Sequence, residues 1–363
     1  MRALLLIPLL LAACGDVPPV SMAADSTRSA QTSRVGRLLV DLPASAARVP
    51  GSNGGTHDWT PIREEPWPEG LAPSGQERDR ARDDAWDRVV ADAQARLDGE
   101  RRSARNRGMD ADALVLDARP VEVAGADWAR ALRWPSYSGR DVSVVVVADH
   151  GPVRLVTDKK VSAGKADASL DRFVDVLGAY VPAGAPGDGG RDWLYLRYGA
   201  VARAPAGYEV AAATFDGPAP FADLVVSMQT RLVPPDGPSL VERFRQAQGS
   251  GLRRLLGPVL PGGLDAGLRE IRAGRRPAGA LDGEEVVTEV RAAIAEGAGD
   301  AGTSSVIELE WEHRGTPEDG RDPDVTVKAS TPPGPPPSPE QEAAVLAAWD
   351  ALLQSLRLTS APR

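Results

Sequence analysis

The sequence predicts an α+β protein of two similar domains, each an antiparallel or mixed sheet packed with amphipathic helices. Three observations predict it. Helical apolar spacing occurs in only a few segments, short strand-like runs separate them, and the order helix, strands, closing helix occurs twice. With 363 residues the chain is also too long for one compact core of ordinary size. Apolar residues make up 42% and charged residues 26%, a globular composition.

The chain opens with Met1 and Arg2, an apolar run from Ala3 to Leu11, then Ala12, Ala13 and Cys14. The run is too short to span a bilayer, which takes ~20 apolar residues. A positive residue, a short apolar stretch and a small-residue cleavage site describe a secretion signal. Leu11-Ala-Ala-Cys14 has the form of the bacterial lipoprotein box, so residues 1–13 are expected to be removed and Cys14 to be acylated. That lipid is the only predicted membrane contact, since several acyl chains anchor a protein far better than one. Gly15 stands where an inner-membrane lipoprotein of enteric bacteria carries Asp, which directs the expectation to the periplasmic side of the outer membrane. Cys14 is the single cysteine, which leaves no thiol for a disulfide or a metal site.

Residues 14–33 are small, polar and aperiodic, and read as a flexible tether. The first strand is expected over Val35 to Leu42, stopped by Pro43, which cannot donate to a ladder. Residues 49–75, which carry Trp59 and Trp67 among Gly, Pro and charges, read as an irregular surface loop with some β structure. Trp86, Val89, Val90, Ala93 and Leu97 recur at helical spacing within 76–107. Strands follow over 114–123, 127–134, 141–148 and 153–157, and the valine-rich 142–147 reads as a strand buried on both faces. Leu170, Phe173, Val174, Leu177 and Val181 mark a second helix, and 182–190 a Gly/Pro-rich linker.

The second domain is expected to repeat the pattern, so the chain divides into 34–203 and 204–363. Strands are predicted over 208–215 and 222–230. Ser239 and Glu242 then form a capping-box signature. Four more strands are predicted over 268–272, 284–290, 306–313 and 324–329, with 289–304 as a loop or a short insertion. The last helix is the clearest element: Ser338 caps it, Pro339 occupies its first position, and Val345, Trp349, Leu352 and Leu356 form one stripe.

Catalytic, metal and cofactor motifs do not emerge. The histidines are only His57, His150 and His313, with no short ligand spacing and no Gly-x-Ser-x-Gly elbow. Gly249-Ser-Gly251 and the 262–267 region lack the strand-to-helix context of a phosphate loop. No catalytic residue, metal ligand or cofactor is therefore assigned. A net charge of −9, or −10 once Arg2 leaves with the signal, argues against nucleic acid as a ligand. In Val306-Ile-Glu-Leu-Glu-Trp-Glu-His313, alternation places Glu308, Glu310 and Glu312 on one exposed face. That acidic stripe is the predicted partner-binding surface, against the plainer reading that it solvates a sheet.

An ordered set of segments carries a resemblance: Val35-Gly-Arg-Leu-Leu-Val-Asp-Leu-Pro43, Leu268-Arg-Glu-Ile-Arg-Ala-Gly-Arg-Arg276, Leu281-Asp-Gly-Glu-Glu285, Glu310-Trp311 with Gly315, and Trp349-Asp-Ala-Leu-Leu-Gln-Ser-Leu356. Together they resemble the two-domain immunity lipoproteins that protect bacteria from type VI secretion lipase effectors of the phospholipase class. The resemblance implies a non-enzymatic protein that binds and inhibits a cognate secreted phospholipase in the periplasm. Members commonly carry a cysteine before Val-Gly-Arg and another where this chain has Glu209. Here Arg34 and Glu209 occupy those places, and an Arg34–Glu209 ion pair is the expected substitute. Two other readings compete: a structural or assembly lipoprotein of the envelope, and a lipid-handling or hydrolytic enzyme with an apolar cavity or a convergent Ser/His/Asp set.

Overall fold

A computed structural model describes residues 30–43, 46–49, 54–72, 74–184, 193–216, 224–233, 236–249, 267–293 and 303–359. Cys14, the signal segment and the tether up to residue 29 lie outside them, as does most of the predicted 182–190 linker.

One series of elements runs β4 (Gly54–His57), β5 (Thr60–Pro66), α1 (Gln76–Arg105), β6 (Asp117–Pro120), β7 (Trp128–Pro135), β8 (Asp141–Asp149), β9 (Val153–Ser162) and α2 (Ala166–Gly178). A second repeats it as β13 (Val210–Asp216), β14 (Val225–Arg231), α3 (Leu240–Gly249), β15 (Gly267–Arg275), β16 (Glu284–Ala293), β17 (Thr303–His313), β18 (Asp324–Ser330) and α4 (Pro339–Gln354). The sheet orders match as well. The first series pairs as β4-β5-β9-β8-β7-β6 and the second as β13-β14-β18-β17-β16-β15. Antiparallel pairing of β4 with β13, Thr56 opposite Val210 and Gly54 opposite Ala212, fuses them into one sheet of 13 strands. The two series are therefore topological repeats of one another, joined through the β4–β13 pair.

Alternation along the strands gives the sheet two unlike faces. One face is buried along its length. In the second repeat Ile307, Leu309 and Trp311 of β17 and Val325, Val327 and Ala329 of β18 pack with Val345, Trp349, Leu352 and Leu353 of α4. In the first, Val144, Val146 and Ala148 of β8 pack with Leu170, Phe173, Val176 and Leu177 of α2. Ser338 caps α4 as expected, and it does so within a capping box: the Gln341 amide donates to Ser338 Oγ at 3.2 Å, and the Ser338 amide donates to Gln341 Oε1 at 2.8 Å. On the opposite face α1 covers Leu132, Trp134, Val145, Val147 and Val156. At the far end of that face α3 packs on Ala273 and Val286.

Two small sheets complete the molecule. One contains β1 (Ala30–Val35), β2 (Leu38–Pro43) and β19 (Arg357–Leu358); the other contains β10 (Tyr180–Pro182), β12 (Gly199–Val201) and β11 (Leu194–Tyr195). A short β3 (Ala47–Arg48) pairs with β13. Residues 35–42, assigned by sequence to the first domain, bury Val35, Leu38, Val40 and Leu42 in the same cluster as Trp311 and Trp349.

Four local expectations change. The strand read over Val35 to Leu42 is a hairpin turning at Gly36, whose φ of 58° only glycine adopts without strain; a Cβ there would lie 2.0 Å from Thr230 Oγ1. Pairing begins at Ala30, so residues 30–33 of the expected tether belong to a strand. The stretch read as an irregular loop supplies β4 and β5, two central strands. Its apolar signal is weak because one of its faces meets solvent and because Gly55 lets Leu196 approach, a Cβ there falling 2.5 Å from the leucine. Finally, β16 runs to Ala293 and β17 starts at Thr303, so both ends of the 289–304 segment read as a loop or a short insertion are strand.

Candidate partner-binding face

Between α1 and α3 the middle of the sheet carries no covering helix among the described residues. The side chains facing outward there are Gly54 and Thr56 of β4, Pro61 and Arg63 of β5, Val210, Ala212 and Thr214 of β13, Ser227 and Gln229 of β14, and Lys328 of β18. Every one is half-buried or exposed, while the residues alternating with them, apart from the half-buried Glu64, are buried. Thr214 and Ser227 share a hydroxyl hydrogen bond of 3.0 Å across the central strands. A depression of about 280 Å³ lined by Gly54, Thr56, Pro61, Arg63 and Val210 lies within this surface. Small and polar side chains on a broad sheet offer area and hydrogen bonds rather than an enclosing pocket. Such a surface suits a macromolecule better than a small molecule, which prefers a concave, largely apolar site.

Buried charge clusters hold the strands under this face. Glu209, between Tyr208 and β13, accepts from Arg37 Nε at 2.7 Å and Arg37 Nη2 at 3.0 Å, and pairs with His57 Nδ1 at 3.0 Å. Burial pushes its carboxyl up, but the hydrogen bonds from His57 and Arg37 outweigh it and hold Glu209 below the usual carboxylate range. Asp149, fully buried at the end of β8, accepts from Arg78 Nε at 2.9 Å, Arg82 Nε at 2.6 Å and Trp67 Nε1 at 3.0 Å. This ties α1 to the sheet, and the same balance keeps Asp149 low. Glu64 of β5 is raised, chiefly by burial, although it accepts from Tyr180 Oη at 2.6 Å and from the Arg197 amide at 2.6 Å.

The histidines are embedded in structure. His57 serves Glu209. His313 contacts the Asp282 carbonyl at 2.7 Å through Nδ1 and Asp322 at 2.8 Å through Nε2. Burial drives His150 down to about 4, and its ring packs edge-on against Tyr180. Among the described residues no group of three or more His, Cys, Asp or Glu could hold a metal ion.

At the turn joining β4 to β5, Asp58 and Trp59 have φ of 44° and 63°. A two-residue turn of this kind favours Asn-Gly, and a bulky residue at positive φ is an outlier costing on the order of 1–3 kcal/mol. Trp59 is nevertheless 51% exposed.

The structure separates the residues that the sequence had grouped. Glu308 is exposed and Glu310 half-buried, the latter 3.1 Å from Lys328, so both border the open face. Glu312 does not belong to an exposed stripe: it is 4% exposed, lies under α3, and pairs with Arg243 at 2.5 Å and Arg314 at 3.1 Å. Alternation predicted the side of the strand correctly but not the helix that covers one end of it. The ion pair expected between Arg34 and Glu209 is made instead by Arg37, while the Arg34 guanidinium lies 4.5 Å from the Tyr195 ring centre. The reversal at Gly36 is what brings Arg37 to Glu209. Sequence reasoning missed Thr214, Ser227 and Gln229, although Ala211-Ala-Ala-Thr-Phe215 and Val226-Ser-Met-Gln-Thr230 alternate clearly enough to place them on the outer face.

The geometry is that of two topological repeats sharing one exposed sheet face. Residues 196–361 match the model of the Tle cognate immunity protein 4 C-terminal domain. A search of curated proteins returned no match. Among solved structures the fold is shared with the apo structure of TplEi, an immunity protein of the type VI secretion system from Pseudomonas aeruginosa, at TM-score 0.57 and 15% identity; the alignment covers 93% of this chain and 99% of that one. It is shared equally with the crystal structure of the Tle4–Tli4 complex, at TM-score 0.58 and 16% identity over 93% of this chain and 100% of that one. TplEi complexed with the "L" peptide aligns at TM-score 0.55 and 17% identity, over 93% of this chain and 100% of that one. The Tli4-like resemblance carried by the sequence segments is thus supported by a family model and by the fold.

Proposed function

We propose that this chain is a non-enzymatic immunity protein that binds a cognate type VI secretion phospholipase effector in the periplasm and inhibits it, protecting the cell that produces both. The observation that carries the reading is the immunity-domain match over 196–361 on a chain whose two repeats present one open sheet face between α1 and α3. Inhibition by occlusion requires surface rather than chemistry. The middle of that face is the contact area we assign, with Glu308 and Glu310 at its border and Glu312 left out because it is buried. An acyl group on Cys14 holds the protein on the periplasmic side of the outer membrane, where an incoming lipase meets its substrate.

Protection in living cells tests this directly. Cells carrying the cognate lipase effector, directed to the periplasm, are expected to survive when they also express the full chain. They are expected to lyse when the chain lacks residues 1–13 and stays in the cytoplasm. Lysis despite the exported full chain would contradict the reading.

A further inference from the structure

Among the exposed large apolar side chains of the described residues, Trp59 is the single aromatic. Its position is costly to the fold twice over, since it exposes an indole and sets a bulky residue at φ 63° in a turn that glycine would occupy without strain. The surroundings hold it there firmly. Its ring stacks on Tyr208 with centres 4.8 Å apart, its amide donates to the Tyr208 carbonyl at 3.2 Å, and Lys159 Nζ donates to its carbonyl at 2.5 Å. Gly207 makes room for the turn, because a Cβ there would lie 2.6 Å from Asp58 Oδ1. Directly behind, His57 and Glu209, the neighbours of Asp58 and Tyr208, are locked together with Arg37 in the buried ion cluster.

A strained, exposed and rigid tryptophan fits recognition rather than stability, since aromatic anchors at interfaces gain from being fixed before binding. Its location fits as well, because the turn and Tyr208 adjoin the two strands, β4 and β13, where the repeats meet. Lys159 lies 5.6 Å from the ring centre and Arg172 pairs with Asp58 of the same turn at 3.4 Å, so two cations against one carboxylate leave the base of the tip with a net positive charge. We infer that the Trp59–Tyr208 tip is a preformed anchor that inserts into an apolar slot with an acidic rim on the lipase effector. This rests on the proposed immunity function and adds to it the residue that leads the contact.

The test compares the full mature chain with Trp59→Gly, Trp59→Phe and Val115→Ser, titrating each against the purified cognate lipase effector and melting each alone. Glycine suits the turn, so Trp59→Gly is expected to melt at or above the wild-type temperature while binding at least tenfold more weakly. Trp59→Phe is expected to recover much of the affinity, and Val115→Ser, at an exposed apolar position elsewhere, to bind as wild type. Binding by Trp59→Gly within twofold of wild type would overturn the inference and leave the immunity reading intact. A clear fall in its melting temperature would also overturn it, by assigning the indole to the fold. A wild-type chain that fails to bind the effector sinks both.

Discussion

Replacing Arg37 with Met removes the fork that satisfies Glu209 while keeping most of the side-chain volume. Both charges are buried, their side chains 2% and 3% exposed, so neither regains water when the other is lost. Breaking a buried pair on one side costs roughly 3–5 kcal/mol, mainly because the remaining charge is stranded. His57, still 3.0 Å from Glu209, offsets part of this, so about 3 kcal/mol is expected for Arg37→Met in urea unfolding at pH 7. The double variant Arg37→Met/Glu209→Leu leaves no stranded carboxylate and is expected to recover most of the loss. The pH dependence follows from the sign of the shift. Glu209 is depressed in the folded state, so its contribution is complete above the ordinary carboxylate value and disappears as pH falls through its lowered one. The gap between wild type and Arg37→Met should therefore close in acid. A cost below about 1 kcal/mol, unchanged between pH 7 and pH 3, would refute the argument.

Other perturbations probe separate parts of the structure. His150 is held down to about 4 by burial against an ordinary 6.5, so below 6.5 the unfolded chain takes up a proton that the folded chain refuses. Its contribution is present above 6.5 and is lost as pH falls toward 4, a change of about 3 kcal/mol that His150→Leu should flatten in urea titrations across that range. Gly36→Ala places a Cβ 2.0 Å from Thr230 Oγ1 at a φ of 58°, and should cost about 2–4 kcal/mol by the same assay. Ser227→Arg puts a long charged side chain in the middle of the open face; calorimetry should show at least tenfold weaker binding to the effector with an unchanged melting temperature.

Elements with a strong period were legible in the sequence. Trp86, Ala93 and Leu97 placed α1, and Ser338 and Pro339 fixed the start of α4, because local capping and one buried stripe decide such helices without help from elsewhere. The strands β13, β14 and β15–β18 were also found from alternation. What escaped depends on distant partners. Gly36 turns the chain because Thr230 packs against it, and nothing adjacent in sequence announces that. The β4–β5 pair lacks an apolar run because glycine and one solvated face replace it, so the central strands of the sheet looked like a loop. The candidate face was legible only in part. Glu308 and Glu310 follow from alternation alone, whereas the burial of Glu312 is set by α3, whose packing on β16 no spacing rule encodes. The ion partner of Glu209 was misplaced by three residues for the same reason, since a hairpin inside a segment read as straight moves Arg37 inward and Arg34 outward.

The most direct measurement is a titration of the purified cognate lipase effector with residues 15–363, followed by phospholipase activity on lipid vesicles. A tight complex is expected, with activity falling to background as the chain reaches stoichiometric amounts. Full activity in the presence of excess chain, or no complex at micromolar concentrations, would contradict it.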